Sequence, residues 1–111
     1  MGQKSRRDPR YNVVVGASFR NGTATRNLVK VSNISARGCR FSSAHALEMG
    51  SQIVLTFGGA AALDAWVRWR VGKAHGVRFA EPLHPAELDH IRLFLSEEPA
   101  FVAEREPVVA Y

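Results

Sequence analysis

The chain has 111 residues, 46% of them hydrophobic and 23% charged, which suits one domain with an ordinary core, is too short for two, and excludes disorder for its bulk. Fifteen Lys and Arg against ten Asp and Glu leave a formal charge of +5, so a polyanionic partner such as a nucleotide, a nucleic acid or an acidic surface is expected. The single cysteine, Cys39, excludes an internal disulfide and a cysteine-built metal cage.

Residues 1–10 form a basic arm containing Pro9. From Tyr11 to Phe19 the run Val13-Val14-Val15 predicts a strand, and Asn21-Gly22 supplies the positive φ angles of a tight hairpin turn. A second strand over about Thr25 to Asn33 sets Val29 and Val31 on one face and Leu28 and Lys30 on the other. It ends in Asn33-Ile34-Ser35-Ala36-Arg37-Gly38, rich in turn formers. Cys39 and Phe41 flank Arg40 in a short strand whose cysteine faces the core, as expected of a reduced, intracellular thiol. Ile53, Leu55 and Phe57 alternate next, and the patch Gly58 to Ala62 is of low complexity. Alternation is longest from Ala62 to Val71, with Leu63, Ala65, Val67, Trp69 and Val71 expected on one face and Trp66, Arg68 and Arg70 on the other. After a Gly72-Lys73 turn, His75, Val77 and Phe79 share a face of the last strand. The period changes at Pro82. Pro85 and Glu87 read as a first helical turn, and Leu88, Ile91 and Leu95, with Phe94 beside them, form an i, i+3, i+7 stripe. Residues 98–111 are expected to be a tail.

Six short strands and one helix predict an all-β fold, a small closed or nearly closed antiparallel barrel over residues 11–97 with the helix at one opening. No run of residues has the length and apolarity of a membrane span, and the start, Met1 to Arg7, lacks the apolar segment of a signal peptide, so a cytoplasmic location without membrane insertion is expected.

Catalytic and metal signatures are weak. His45, His75, His84 and His90 are scattered with no i, i+4 pair, and neither a Gly-x-Ser-x-Gly elbow nor a phosphate-binding Gly-rich loop ending in Lys-Ser/Thr occurs. Neither a catalytic residue, a metal ligand nor a cofactor is expected. Glu87 and Asp89 suit the helix dipole instead.

Anion chemistry is concentrated elsewhere. In Arg6-Arg7-Asp8-Pro9-Arg10 the proline disfavours helix at Asp8, so the arm is extended or turned, and in an extended chain Arg6 and Arg10 would point the same way, roughly 13 Å apart. Such a pair can straddle a ligand and grip phosphate or the guanine edge with bidentate forks. A solvated basic terminus is the plain alternative. The turn offers an amide at Asn33, a hydroxyl at Ser35, exposed backbone N–H groups, and at Gly38 a backbone angle or a close approach that a Cβ would obstruct. An ordinary Asn/Ser turn is the plain alternative there. Trp66, Arg68 and Arg70 read first as a solvated strand face, and secondarily as a stacking surface.

Arg6-x-x-x-Arg10 followed about two strands later by Asn33-x-Ser35-x-x-Gly38 resembles the PilZ family of bacterial cyclic di-GMP-binding domains. The strand Ala65-Trp66-Val67-Arg68-Trp69 and the closing Gly76-Val77-Arg78-Phe79 support the resemblance, which spans about residues 5–96. It implies a six-stranded antiparallel barrel with a C-terminal α-helix. It also implies that Arg6 and Arg10 bind guanine and phosphate as the arm becomes ordered, with Arg7 adding a phosphate contact, while Asn33, Ser35 and Gly38 surround one guanine. Asn33 stands where many members carry Asp, and Ser5 occupies the position that influences whether one ligand or an intercalated pair binds.

The expected function is therefore a non-enzymatic, stand-alone cyclic di-GMP receptor that passes its signal to a partner protein in motility, exopolysaccharide or biofilm control. Two alternatives share the composition: a small basic barrel that binds nucleic acid, and an interaction domain of the same family that works without the ligand. Nucleic acid is the less favoured partner, because Trp66 is the lone exposed candidate for the aromatic platform such barrels display.

Overall fold

A computed structural model describes residues 8–22, 25–58 and 62–97. Arg6, Arg7 and the expected tail lie outside them. Six strands form a closed antiparallel barrel: β1 (Tyr11–Arg20), β2 (Asn27–Ile34), β3 (Gly38–Ser42), β4 (Gln52–Phe57), β5 (Ala62–Val71) and β6 (Ala74–Phe79), in the spatial order β1-β2-β3-β6-β5-β4 with β4 returning to β1. Closure leaves no sheet edge exposed. The inward faces follow the period-2 pattern: Val29 and Val31, Cys39 and Phe41, Ile53, Leu55 and Phe57, and Val77 and Phe79 are all buried. Burial pushes the Cys39 thiol well up, so it serves as a small apolar core residue.

The β1–β2 connection is longer than the tight turn expected at Asn21-Gly22. Gly22 does take a positive φ of 76°, but β1 ends at Arg20 and β2 starts at Asn27, so the link runs through residues 21–26. Gly72, φ 61°, begins the short β5–β6 turn, with Val71 paired to Ala74.

One face assignment fails. The register of β5 against β6 shifts between Val67 and Trp69, so that Val67 pairs with Val77 but Trp69 pairs with Gly76 and Arg70 with His75. Arg68 is the extra residue of a bulge, and everything after it changes face. Trp69 therefore leaves the core side and lies on the outer surface against Gly76, Val71 is 72% exposed, and Arg70 no longer shares the face of Trp66 and Arg68. A Cβ at position 76 would collide with the Trp69 indole, so glycine here is a requirement of close approach.

The helix packs the expected stripe but changes type along its length. His84 caps α1 (Pro85–His90): its Nδ1 accepts from Ala86 N at 3.1 Å, and Glu87 accepts from His84 N at 2.9 Å. The chain then widens into a π-type turn over Ile91–Leu95, closed by Ser96 N donating to Ile91 O at 3.0 Å. Leu88 and Ile91 reach the core, Leu95 is half-buried, and the wider turn leaves Phe94 74% exposed. Leu83, Leu88 and Ile91 plug the barrel end at which β1 begins and β2 finishes.

The opposite end is closed by the crossover from β3 to β4, anchored on His75. Its imidazole is fully buried, stacked on Phe41 at 5.6 Å, and bonded at both nitrogens: Leu47 N donates to Nε2 at 3.1 Å, and Nδ1 lies 2.8 Å from Lys73 O. A backbone N–H can only donate, so Nε2 is the acceptor, Nδ1 carries the proton and the ring is neutral. Burial holds its pKa below the usual 6.5, the Lys73 carbonyl opposes that, and the charge of Arg70 adds to it.

Two expectations follow. The unfolded chain protonates His75 near pH 6.5 while the folded one resists, so stability at neutral pH is lost as pH falls from there, by up to about 1.4 kcal/mol per pH unit. Urea denaturation between about pH 5 and pH 8 should show this slope, and His75→Gln, which cannot ionise, should lack it; equal slopes in both proteins would contradict the assignment. Gly76→Ala should cost about 1–3 kcal/mol in the same assay, because the indole must lift from the sheet. Trp69→Phe, which deletes a buried indole N–H without an acceptor among the described residues, should cost less than Gly76→Ala.

Candidate functional site

The arm and the turn singled out by sequence meet at the helix-plugged end of the barrel. Antiparallel pairing sets Tyr11 opposite Ile34 and Asn12 opposite Asn33, two residues after Arg10. Asn33 Nδ2 donates to Asn12 Oδ1 at 3.3 Å, and Arg37 Nε, in the turn, donates to Asp8 Oδ2 at 2.9 Å. Arg10, half-buried, lies between these two contacts in sequence. The arm is thus joined to the turn on both sides of Arg10.

The turn itself is rigidly built. Ser35 N donates to Gly38 O at 2.9 Å, and the Ser35 hydroxyl accepts from Arg37 N at 3.3 Å. The flanking carbonyls are tied to the segment that leads into the helix: Phe79 N donates to Arg37 O and Leu83 N to Ala36 O, at 2.8 and 2.7 Å. Asn33 and Ser35 are buried, at 1% and 4% exposure, so both side chains brace the turn. Gly38 is not among the glycines with positive φ, which removes the backbone-angle reason for it.

Register sets the cross-strand neighbours of position 38. Cys39 faces the core, so Gly38 belongs to the outer face, where it pairs with Arg78 of β6, and Arg78 in turn pairs with Trp66 of β5. Gly38, Arg78 and Trp66 form a row across three adjacent strands, the latter two exposed. Arg40 stands next to the row, its Nε donating to Ser32 Oγ at 3.1 Å. Neither Arg40 nor Arg78 was singled out as a site residue by the sequence patterns. Only the cross-strand register brings them beside Gly38.

The same end is tied to the C-terminal segment. A bulge in β1 between Asn12 and Val15 frees Val14 from the β2 ladder; its N–H donates to Ser96 Oγ at 3.0 Å and its carbonyl accepts from Glu97 N at 2.8 Å. Arg92 packs its guanidinium 4.4 Å above the Tyr11 ring.

A pocket of about 240 Å³ between Phe57, Leu63, Leu83 and Ile91 is lined mainly by apolar side chains together with Glu87 and His90, and a shallower groove runs over Gly16, Leu28 and Thr56. Neither of these two is lined by described residues of the arm or the turn. Among the described residues no three His, Cys, Asp or Glu side chains gather as for a metal, and no helix is long and apolar enough to cross a membrane.

Ser35→Ala should lower stability by about 1–2 kcal/mol, because Arg37 N–H loses its acceptor in a buried turn. Thermal or urea denaturation checks this, and an unchanged midpoint would show that the hydroxyl has no bracing role.

Comparison with known families gives a match over residues 4–97 to the model described as PilZ domain. No curated protein matches the chain.

Proposed function

The chain belongs to the PilZ domain family, a family of cyclic di-GMP-binding domains, and on that premise we propose that it is a cyclic di-GMP receptor that signals by reshaping the end of its barrel. Domains of this family are in general ligand-binding or adaptor modules rather than enzymes. The observation that carries the reading is the junction of arm and turn. Asn12–Asn33 and Asp8–Arg37 bracket Arg10, which supports a site shared by the arm and the turn.

In this reading Arg6 and Arg10 bind the ligand's phosphates and guanine edges with charge-assisted bidentate bonds, and Arg7 adds a phosphate contact. Asn33, Ser35 and Gly38 frame one guanine. Gly38 pairs with Arg78, and Trp66 offers a π face at the far end of the row. A base that draws Asn33 away from Asn12 would break the bond that ties β2 to the start of β1. That break is the route by which binding becomes a changed surface, for engagement by a downstream partner protein in motility, exopolysaccharide or biofilm control.

Isothermal titration with cyclic di-GMP should give saturable binding, and Arg6→Ala and Arg10→Ala should each weaken it by roughly tenfold or more, the loss of a charge-assisted bond. Oligonucleotides should produce little heat. Binding of oligonucleotides with a steep salt slope, and none of the dinucleotide, would instead identify a nucleic-acid-binding barrel.

A further inference from the structure

The arm carries three arginines and one carboxylate, and the carboxylate of Asp8 meets the turn. Asp8 Oδ2 accepts from Arg37 Nε at 2.9 Å, with the Arg37 side chain 57% exposed and that of Asp8 37% exposed. Arg37 is outside the residues of the shared motif, yet it is the best-presented cation of the turn. Its N–H is held by Ser35 Oγ and its carbonyl by Phe79 N, so the side chain projects from fixed backbone toward the arm. The contact is single-pointed, at Nε, and no other partner holds the guanidinium among the described residues.

A carboxylate on a guanidinium is the protein's own version of a phosphate on a guanidinium: both are planar-fork contacts between a cation and two or more anionic oxygens. An exposed pair of this kind is worth only about 0–1 kcal/mol, so a dianionic ligand gripped by the neighbouring arginines can displace it. Asp8 cannot stay: its charge would stand beside the incoming phosphate, and like charges at contact repel. Pro9 restricts the backbone between Asp8 and Arg10, so release of Asp8 also alters the approach of Arg10.

Resting on the receptor reading above, we propose that Arg37 is a further phosphate-binding residue of this chain, and that Asp8 occupies it in the free protein as a stand-in anion that the ligand displaces. Asp8 thereby sets the threshold of response, and its removal sharpens binding.

A double-mutant cycle in cyclic di-GMP titrations tests this. Both side chains are on the surface, so the variants should keep the fold, checked by circular dichroism. Asp8→Asn should tighten binding by about two- to fivefold at low ionic strength, the equivalent of a lost surface pair. Arg37→Ala should weaken it by about threefold or more. In the Arg37→Ala background, Asp8→Asn should change affinity hardly at all, because its effect passes through Arg37. Weaker binding in Asp8→Asn would overturn the proposal, since the pair would then be pre-positioning the arm. Equal tightening in both backgrounds would also overturn it, by reducing Asp8 to a general charge effect. These failures leave binding by the unaltered protein intact, whereas absence of binding by the unaltered protein overturns the receptor reading together with this one.

Discussion

The β1–β2 ladder pairs Tyr11 with Ile34 and Asn12 with Asn33, and the functional end of the molecule hangs on that register. Sliding it by one residue would send the Val13, Val15 and Val31 side chains out of the core, so the buried face fixes it firmly. Once fixed, it has no freedom about where the arm enters: the chain before Tyr11 must leave the barrel beside the turn that follows Ile34. The hydrophobic pattern of two strands thus positions Arg10 against the Asn33–Gly38 turn, although none of those valines belongs to the site.

Irregularities in the ladders then adapt the barrel to its attachments. The β1 bulge releases Val14 to hold Ser96 and Glu97, and with Arg92 over Tyr11 it binds the C-terminal segment to the strand that carries the arm. Bulges in β2 and β5 act on the outer face. At the β2 bulge Ser32 accepts from Arg40, and at the β5 bulge Trp69 turns outward onto Gly76. The result is an outer surface of arginine and tryptophan continuous with the strand position of Gly38, built over an apolar core that also holds the satisfied ring of His75.

Much of this was legible in the sequence wherever a single period of two applied. Val29 and Val31, Ile53 through Phe57, and His75 through Phe79 lie on the faces their alternation predicts, and the six-strand count with one helix gives the barrel. Periodicity fails at Arg68, because a bulge is one inserted residue and Val67-Arg68-Trp69 carries no local mark of it. The mark is across the sheet, in Gly76, and becomes readable only with the register known. The helical stripe of Leu88, Ile91 and Leu95 also packs as its spacing predicts, while Phe94 beside it is exposed. At the site, residue types identified the arm and the turn. That Asp8 meets Arg37, or that Arg78 and Trp66 line up with Gly38, depends on pairings between distant strands that no local pattern encodes.

The central claim is that arm and turn form one ligand site. The most direct measurement is a two-dimensional amide NMR titration with cyclic di-GMP, following the backbone signals of Asp8, of Arg10 through Asn12 and of Asn33 through Gly38 together. The account predicts that both groups shift along one saturation curve, with the Ser96 and Glu97 amides responding through Val14. Silence in both groups at saturating ligand, or shifts confined to residues around the apolar pocket at Phe57 and Ile91, would contradict it.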